Sequence, residues 1–156
     1  MNITIRKALE KDSDAIWEVR SKAIKGISQN FYSKEEVEIW YHNDRPQNFE
    51  EVITNLDWLV AFLEDRIIGT GFIDISSAEI GAIFVDPNYQ RMRVGRRILD
   101  ELEIIAKNKR IATLYLDATL SAVDFYKSSG YQCIERSTCQ LGNIKLVSQK
   151  MKKSIV

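Results

Sequence analysis

The order in which strand-like and helix-like spacings of hydrophobic residues follow one another along the chain limits its possible folds more than any other feature. Residues 2–8 alternate apolar and polar side chains and predict a strand. Apolar residues at helical spacing predict a helix within residues 12–27, and a Ser-x-x-Glu capping box predicts a second helix over residues 33–42. A short helical segment is expected within residues 46–55. The first third of the chain therefore predicts one strand followed by two or three helices.

The rest of the chain is dominated by the two-residue period of strands. A strand, a helix and a second strand follow one another in the middle of this part, and such a unit predicts parallel strands joined by a right-handed crossover. The other strands follow each other through short turns and are expected to be antiparallel. The expected strands are residues 58–64, 67–75, 78–85, 112–118, 131–140 and 144–151, and the expected helices are residues 94–107 and 121–130.

Composition limits the size of the fold and its partners. A chain of 156 residues has the length of about one domain, so we expect a single domain over residues 1–156. The 22 basic residues balance 22 acidic ones, which argues against nucleic acid or an anionic membrane as the main partner. The N-terminal segment lacks the apolar core of a signal peptide and no stretch is long enough to span a membrane, so a cytoplasmic protein is expected. Two cysteines and one histidine give no metal-ligand spacing, and no metal is expected.

Positive charge is concentrated at one place, where four of the residues 91–97 are arginine and surround one glycine. A strand is expected to end just before this segment and a helix to begin within it. The first turn of a helix presents unpaired N–H groups that favour an anion, arginine side chains bind phosphate, and Gly95 allows close approach of a ligand. The alternatives are a solvated basic helix end, a P-loop, which lacks its Gly-Lys-Ser/Thr, and a nucleic-acid surface, which lacks stacking aromatics. A small phosphorylated ligand is favoured.

Two motifs resemble those of the GNAT superfamily of acyl-CoA-dependent N-acetyltransferases. The pyrophosphate loop of that family reads Gln/Arg-x-x-Gly-x-Gly/Ala, and the stretch VDPNYQRMRVG places Gln90 first and Gly95 last, with Arg93 replacing the middle glycine. The second motif is a helix with Phe-Tyr followed by Gly-Tyr, here within residues 121–131, although Thr119 replaces an asparagine common in the family. The resemblance implies an α+β, three-layer fold: a GNAT-like, mixed, mostly antiparallel sheet with a β–α–β cofactor unit and helices on both faces.

The resemblance also implies a reaction, the direct transfer of an acetyl group from acetyl-CoA to a primary amine of a small molecule or peptide. Glu79 matches the position where some members have the base that takes the proton of the amine, and Tyr126 matches that of the acid that protonates the departing thiolate. The backbone N–H groups expected beside the thioester carbonyl and the pantetheine arm are those of Ile83, Phe84 and Val85. The residues expected to bind the pyrophosphate are Gln90, Arg91, Met92, Arg93, Val94, Gly95 and Arg96, and Arg91, Arg96 or Arg97 is expected to reach the outer phosphates.

The acceptor is not defined by the sequence. The resemblance places its cleft against residues 20–45, where the aromatic side chains are more typical of packing than of ligand binding. Glu35, Glu36 and Glu38 on the second helix suggest a cationic acceptor, and His42 is more typical of a helix end than of a base. A non-catalytic acyl-CoA sensor is the alternative function. Both a monomer and a homodimer are compatible with the sequence.

Overall fold

The computed structural model describes residues 2–156, which form one mixed sheet with helices on both faces. The strands are β1 (Ile3–Lys7), β2 (Asp57–Leu63), β3 (Arg66–Asp74), β4 (Glu79–Ile80), β5 (Phe84–Val85), β6 (Thr113–Thr119), β7 (Gln132–Leu141) and β8 (Ile144–Ser154). The α-helices are α1 (Ser13–Lys25), α2 (Lys34–Tyr41), α3 (Phe49–Asn55), α4 (Val94–Asn108) and α5 (Val123–Ser128). The sheet order is β1-β2-β3-β4-β6-β8-β7, and β5 pairs with β3.

The strand directions confirm the fold class expected from the sequence. β4 and β6 are parallel and are joined through α4, so the predicted β–α–β unit is present. The other strand pairs are antiparallel, including the β2–β3 hairpin and the closing β7–β8 pair. The capping box is also present, because the Ser33 hydroxyl accepts a hydrogen bond from Glu36 N–H and the Glu36 carboxylate accepts one from Ser33 N–H.

Hydrophobic residues bury the two faces of the sheet against different helices. On one face, α4 and α5 pack on the main core, to which Ile98, Leu102, Leu116 and Met151 belong. On the other face, α1, α2 and α3 cover two smaller apolar clusters. The ligand-binding loop expected from the sequence lies where α4 begins, at the edge of the main core.

The strand predicted over residues 78–85 is wrong as a single element, because the structure divides it into β4 and β5. β4 pairs with β3 through Ile80–Ile73, whereas β5 pairs with β3 through Phe84–Thr70, so the register shifts by one residue between them. One extra residue in a strand is a β-bulge, which bends the strand away from its neighbour. The pairing of β4 with β6 ends at Ile80, and β5 makes no pair with β6. The two parallel strands therefore diverge from residue 81 onward.

Candidate active site

A cavity of about 990 Å³ opens where β5 and β6 diverge. Its walls come from both faces of the sheet. The first turn of α4 and the helix α5 lie on one face, and α1 and α2 lie on the other. The residues on its wall are 82–85, 89–91, 93–96, 100, 117–119, 121–122, 125–126 and 128–129, together with residues 23, 26–28 and Trp40. The loop of arginines lies at one end of this cavity and the α1–α2 pair lies at the other.

The loop before α4 keeps a left-handed backbone at two positions without glycine. Arg91 has φ +68° and Arg93, the residue that caps α4, has φ +62°. A non-glycine residue in this region costs about 1–2 kcal/mol, so the surrounding structure compensates for this strain. Buried Asp86 helps to fix the preceding turn, because its N–H donates to Ile68 O at 2.8 Å and its carboxylate accepts from Asn88 N–H at 2.9 Å. The loop therefore reaches a glycine-type conformation with arginine at position 93.

The first turn of α4 directs unpaired N–H groups at the cavity. Its first intrahelical hydrogen bond runs from Arg97 N–H to Arg93 O at 3.0 Å, so Val94, Gly95 and Arg96 have no acceptor within the helix. These three residues all line the cavity. Unpaired amides at a helix N-terminus, with the positive end of the helix dipole, bind phosphate groups.

Gly95 leaves free space beside these amides. A Cβ atom built on this residue lies 3.6 Å from Phe125 Cζ and 3.6 Å from Val85 Cγ2, which is ordinary van der Waals contact. The packing of the protein therefore does not require glycine here. The absence of a side chain instead keeps the cavity open next to the amides, as a pyrophosphate group requires. The residues at this end of the cavity thus fit the diphosphate of coenzyme A.

Three of the four arginines lie on the cavity wall. Arg91, Arg93 and Arg96 are exposed side chains that line it. Arg96 is held in place, since its Nε lies 3.0 Å from Asp100 Oδ1 and its Nη1 donates to Ser129 Oγ at 3.4 Å. Together they provide positive charge beside the unpaired amides, which is suited to a polyanion.

Two residues expected in the phosphate site point elsewhere. Arg97 Nη1 donates to the backbone oxygen of Ile3 at 2.6 Å and thereby ties α4 to β1, and Arg97 is not on the cavity wall. The expectation that it reaches the outer phosphates is therefore not supported by its geometry. The Met92 side chain packs against the main core.

Tyr126 lies within α5 on the cavity wall and is 4% exposed. Burial raises the pKa of its phenol well above the ordinary value near 10. Its ring makes edge contacts with Phe125 and Tyr131, at centroid distances of 5.0 and 5.6 Å. Tyr131 is itself anchored, because its hydroxyl donates to Glu103 Oε2 at 2.9 Å and Lys153 Nζ donates to Glu103 Oε1 at 2.9 Å. Tyr126 is therefore a cavity-wall residue whose ring is packed between aromatic neighbours and whose raised pKa favours the protonated phenol.

Glu79, the residue expected to be the base, is exposed at the start of β4 and is not on the cavity wall. The carboxylate of a different residue lies on the cavity wall instead. Asp117 on β6 lines the cavity, although the sequence shows it only as a polar residue in an alternating strand. The signal that could have pointed to Asp117 is its place two residues before Thr119, the position compared with the asparagine of the family.

Comparison with known proteins identifies the family. The model of the acetyltransferase (GNAT) domain matches residues 29–155 of this chain. The chain belongs to the GNAT family of acetyltransferases. The resemblance seen in the two motifs is thus confirmed, and the protein is an N-acetyltransferase.

Relatives of this acetyltransferase agree in sequence and in fold. The spermidine N(1)-acetyltransferase of Thermoplasma acidophilum is 30% identical over 146 residues, which cover 85% of this chain and 89% of the relative. A GCN5-related N-acetyltransferase from Rhodopseudomonas palustris has a similar structure, with a TM-score of 0.92 and 24% identity, over 99% of this chain and 97% of the other. The PaiA N-acetyltransferase of T. acidophilum, solved in complex with coenzyme A, superposes with a TM-score of 0.79 at 23% identity, over 99% of both chains.

The end of the cavity away from the loop of arginines is formed by α1 and α2. Ala23 and Ile27 on the α1 side and Trp40 on α2 line the cavity, and the Trp40 ring lies 6.4 Å from that of Phe84. Trp40 is fixed by buried Arg20, whose guanidinium donates to Trp40 O at 2.7 Å and to Tyr41 O at 3.2 Å. Burial lowers the pKa of Arg20, which nevertheless stays charged at neutral pH.

The acidic residues of α2 do not reach the cavity wall. Glu35, Glu36 and Glu38 are absent from it, Glu36 closes the capping box, and Glu38 Oε2 lies 3.3 Å from His42 Nε2. Tyr32 is held within the fold, because its hydroxyl donates a hydrogen bond to Val147 O at 2.7 Å.

In the described part of the chain, no group of three metal-ligating side chains comes together. Within residues 2–156, no helix is long and apolar enough to cross a membrane.

Proposed function

We propose that this acetyltransferase moves an acetyl group from acetyl-CoA directly to a primary amine of a small molecule or peptide. The observation that carries the proposal is the continuity of the cavity. It extends from the first turn of α4, past Tyr126, to the wall formed by α1 and by Trp40 on α2. Donor and acceptor therefore have room to meet between the diverging strands, as a direct transfer requires.

Acetyl-CoA supplies an activated acetyl group, and its diphosphate is proposed to lie on residues 90–96. The amides of Val94, Gly95 and Arg96 donate to the phosphate oxygens, while Arg91 and Arg96 contribute charge. The edge of β5 that faces away from β3 has no strand partner in the described part of the chain. Backbone groups of Ile83, Phe84 and Val85 are thus available for the pantetheine arm and for the oxygen on which negative charge develops.

Proton transfers are assigned to two side chains. Tyr126 donates its proton to the departing thiolate, and its raised pKa keeps the phenol protonated until that step. Glu79 lies outside the cavity wall and is proposed to receive the proton of the amine through water. Both assignments rest on position, because Glu79 lies on the strand that leads into the cavity and Tyr126 lies on its wall.

A small polyamine is the proposed acceptor. The T. acidophilum relative named above is a spermidine N(1)-acetyltransferase. The acceptor side of the cavity combines aromatic residues with one carboxylate, a combination that suits alkyl ammonium groups.

The test is release of free thiol from acetyl-CoA in the presence of spermidine, 1,4-diaminobutane and a lysine peptide, with the N-acetyl product identified by mass. We expect thiol release that depends on the amine. Tyr126→Phe should lower kcat at least tenfold while leaving the Kd for acetyl-CoA within about twofold, given the usual contribution of a general acid. Tyr115→Phe is the matched control, since Tyr115 is 45% exposed and lies off the cavity wall. Binding of acetyl-CoA without thiol release for any amine would instead indicate a non-catalytic sensor.

A further inference from the structure

Asp117 lies on the side of the sheet that is proposed above for the acceptor. Its neighbours on β6, Leu116 and Ala118, are buried in the main core with α4 and α5. Because side chains alternate along a strand, Asp117 points to the opposite face, the one that carries α1 and α2. Tyr32, which belongs to the cluster under α1 and α2, is close enough for the charge of Asp117 to raise the pKa of its phenol, although burial is the main cause of that shift.

The strand register places Asp117 at the point of divergence. β4 and β6 pair through Glu79–Tyr115 and Ile80–Leu116, so the next residue of β6, Asp117, stands level with Gly81 and beyond the last pair. Glu79 is two residues farther from the opening. This explains why Asp117 is on the cavity wall while Glu79 is not.

The charge of Asp117 is not neutralised by contact with a basic side chain. Asp100 and Asp117 are the carboxylates on the cavity wall among residues 2–156, and Asp100 is paired with Arg96. None of the ion pairs in this part of the chain includes Asp117. Its strand neighbour is the exposed Lys150, which lies between Asp117 on β6 and Glu135 on β7. The acceptor side of the cavity therefore holds an available carboxylate beside aromatic and aliphatic walls.

We propose that Asp117 binds a second positive charge of the acceptor and makes the enzyme select diamines and polyamines over amines with an uncharged tail. This inference rests on the function proposed above. At ~3.3 Å per residue, the level of Asp117 lies about 10 Å from that of Phe84, where the thioester is expected. An ion-pair contact of about 3 Å and a reacting contact of about 3 Å leave room for a short alkyl chain between two nitrogens. Trp40 and Phe84 would pack against that chain.

The experiment compares two substrates of equal length, 1,4-diaminobutane and n-pentylamine, which differ by an ammonium in place of a methyl group. Asp117→Asn should lower kcat/KM for the diamine about ten- to a hundredfold, the usual effect of losing a charged hydrogen bond, mainly through KM. The rate with n-pentylamine should change less than twofold. Asp117→Glu keeps the charge and should retain part of the preference for the diamine. Glu135→Gln is the matched control, because it removes a carboxylate beside the same Lys150 but off the cavity wall.

A binding measurement separates this inference from the proposed function. Calorimetric titration of 1,4-diaminobutane into the protein with desulfo-CoA requires no turnover, and we expect binding that Asp117→Asn weakens at least tenfold. Equal loss for both amines, or diamine binding that is insensitive to Asp117→Asn, would overturn the role of Asp117. Diamine binding that depends on Asp117 without thiol release would leave that role standing and refute the proposed acetyl transfer to the diamine. Circular dichroism and thermal unfolding of each variant exclude loss of the fold as the cause.

Discussion

Replacing Gly95 with alanine should change stability and cofactor binding in opposite directions. Gly95 is the second residue of α4, and glycine within a helix is less favourable than alanine by about 0.5–1 kcal/mol. The added Cβ lies 3.6 Å from its nearest protein atoms, on Phe125 and Val85, so no clash offsets this gain. Gly95→Ala should therefore raise the free energy of unfolding by about 0.5 kcal/mol, at the low end because the position lies in the first turn.

The same methyl group occupies the space proposed for the pyrophosphate. If it displaces one charged hydrogen bond of about 1.5–3 kcal/mol, the Kd for acetyl-CoA rises about ten- to a hundredfold. Urea unfolding without ligand measures the first effect, and calorimetric titration with acetyl-CoA measures the second. Glu101→Ala on the exposed side of α4 is the control for helix propensity, and it should leave the Kd unchanged. Unchanged affinity in a folded Gly95→Ala protein would refute the placement of the diphosphate on α4.

Three further perturbations test other parts of the structure. Arg93→Gly removes a non-glycine residue from a position with φ +62°, so thermal unfolding should occur at an equal or higher temperature. The same change should weaken the binding of acetyl-CoA, because an arginine is lost from the cavity wall. Lys153→Met leaves the almost buried Glu103 without its ion-pair partner, and it should lower the free energy of unfolding in urea by about 2 kcal/mol. An unchanged free energy of unfolding would show that this ion pair does not stabilise the fold. The hydrogen bonds from Arg6 lower the pKa of Asp12 in the folded protein. The ionised carboxylate therefore stabilises the fold at any pH above its unfolded pKa of about 3.9. This stabilisation is lost as the pH falls through the lower pKa of the folded state. Asp12→Asn should therefore be less stable than the wild type at pH 7, and the difference should shrink as the pH falls below about 3.9; a difference that stays constant with pH would contradict this.

Element order is the part of the fold that local sequence patterns determine. Periodicity identifies the helices and most strands, and the Ser33–Glu36 capping box marks the start of α2 because both hydrogen bonds are local. The break between β4 and β5 has no comparable local signal. Residues 78–85 are apolar enough for one strand, and the bulge depends on the register with β3 and on the departure of β6, which are tertiary features.

The candidate site shows the same division between local and tertiary information. The loop residues follow one another in the chain, so their motif predicts the unpaired amides at the start of α4. The partner of Arg97 lies on β1, 94 residues away in sequence, and no pattern within the loop indicates it. Glu79 is indicated as the base by the family resemblance alone, and no local pattern singles out Asp117. The parallel register of β4 and β6 shows that Asp117, and not Glu79, lies on the cavity wall.

The structure of this acetyltransferase with coenzyme A is the most direct test of the account. We predict that the diphosphate oxygens accept hydrogen bonds from the amides of Val94, Gly95 and Arg96, that the pantetheine arm lies along β5, and that its sulfur is within reach of the Tyr126 hydroxyl. A diphosphate bound away from the start of α4, or a sulfur outside the opening between β5 and β6, would contradict it.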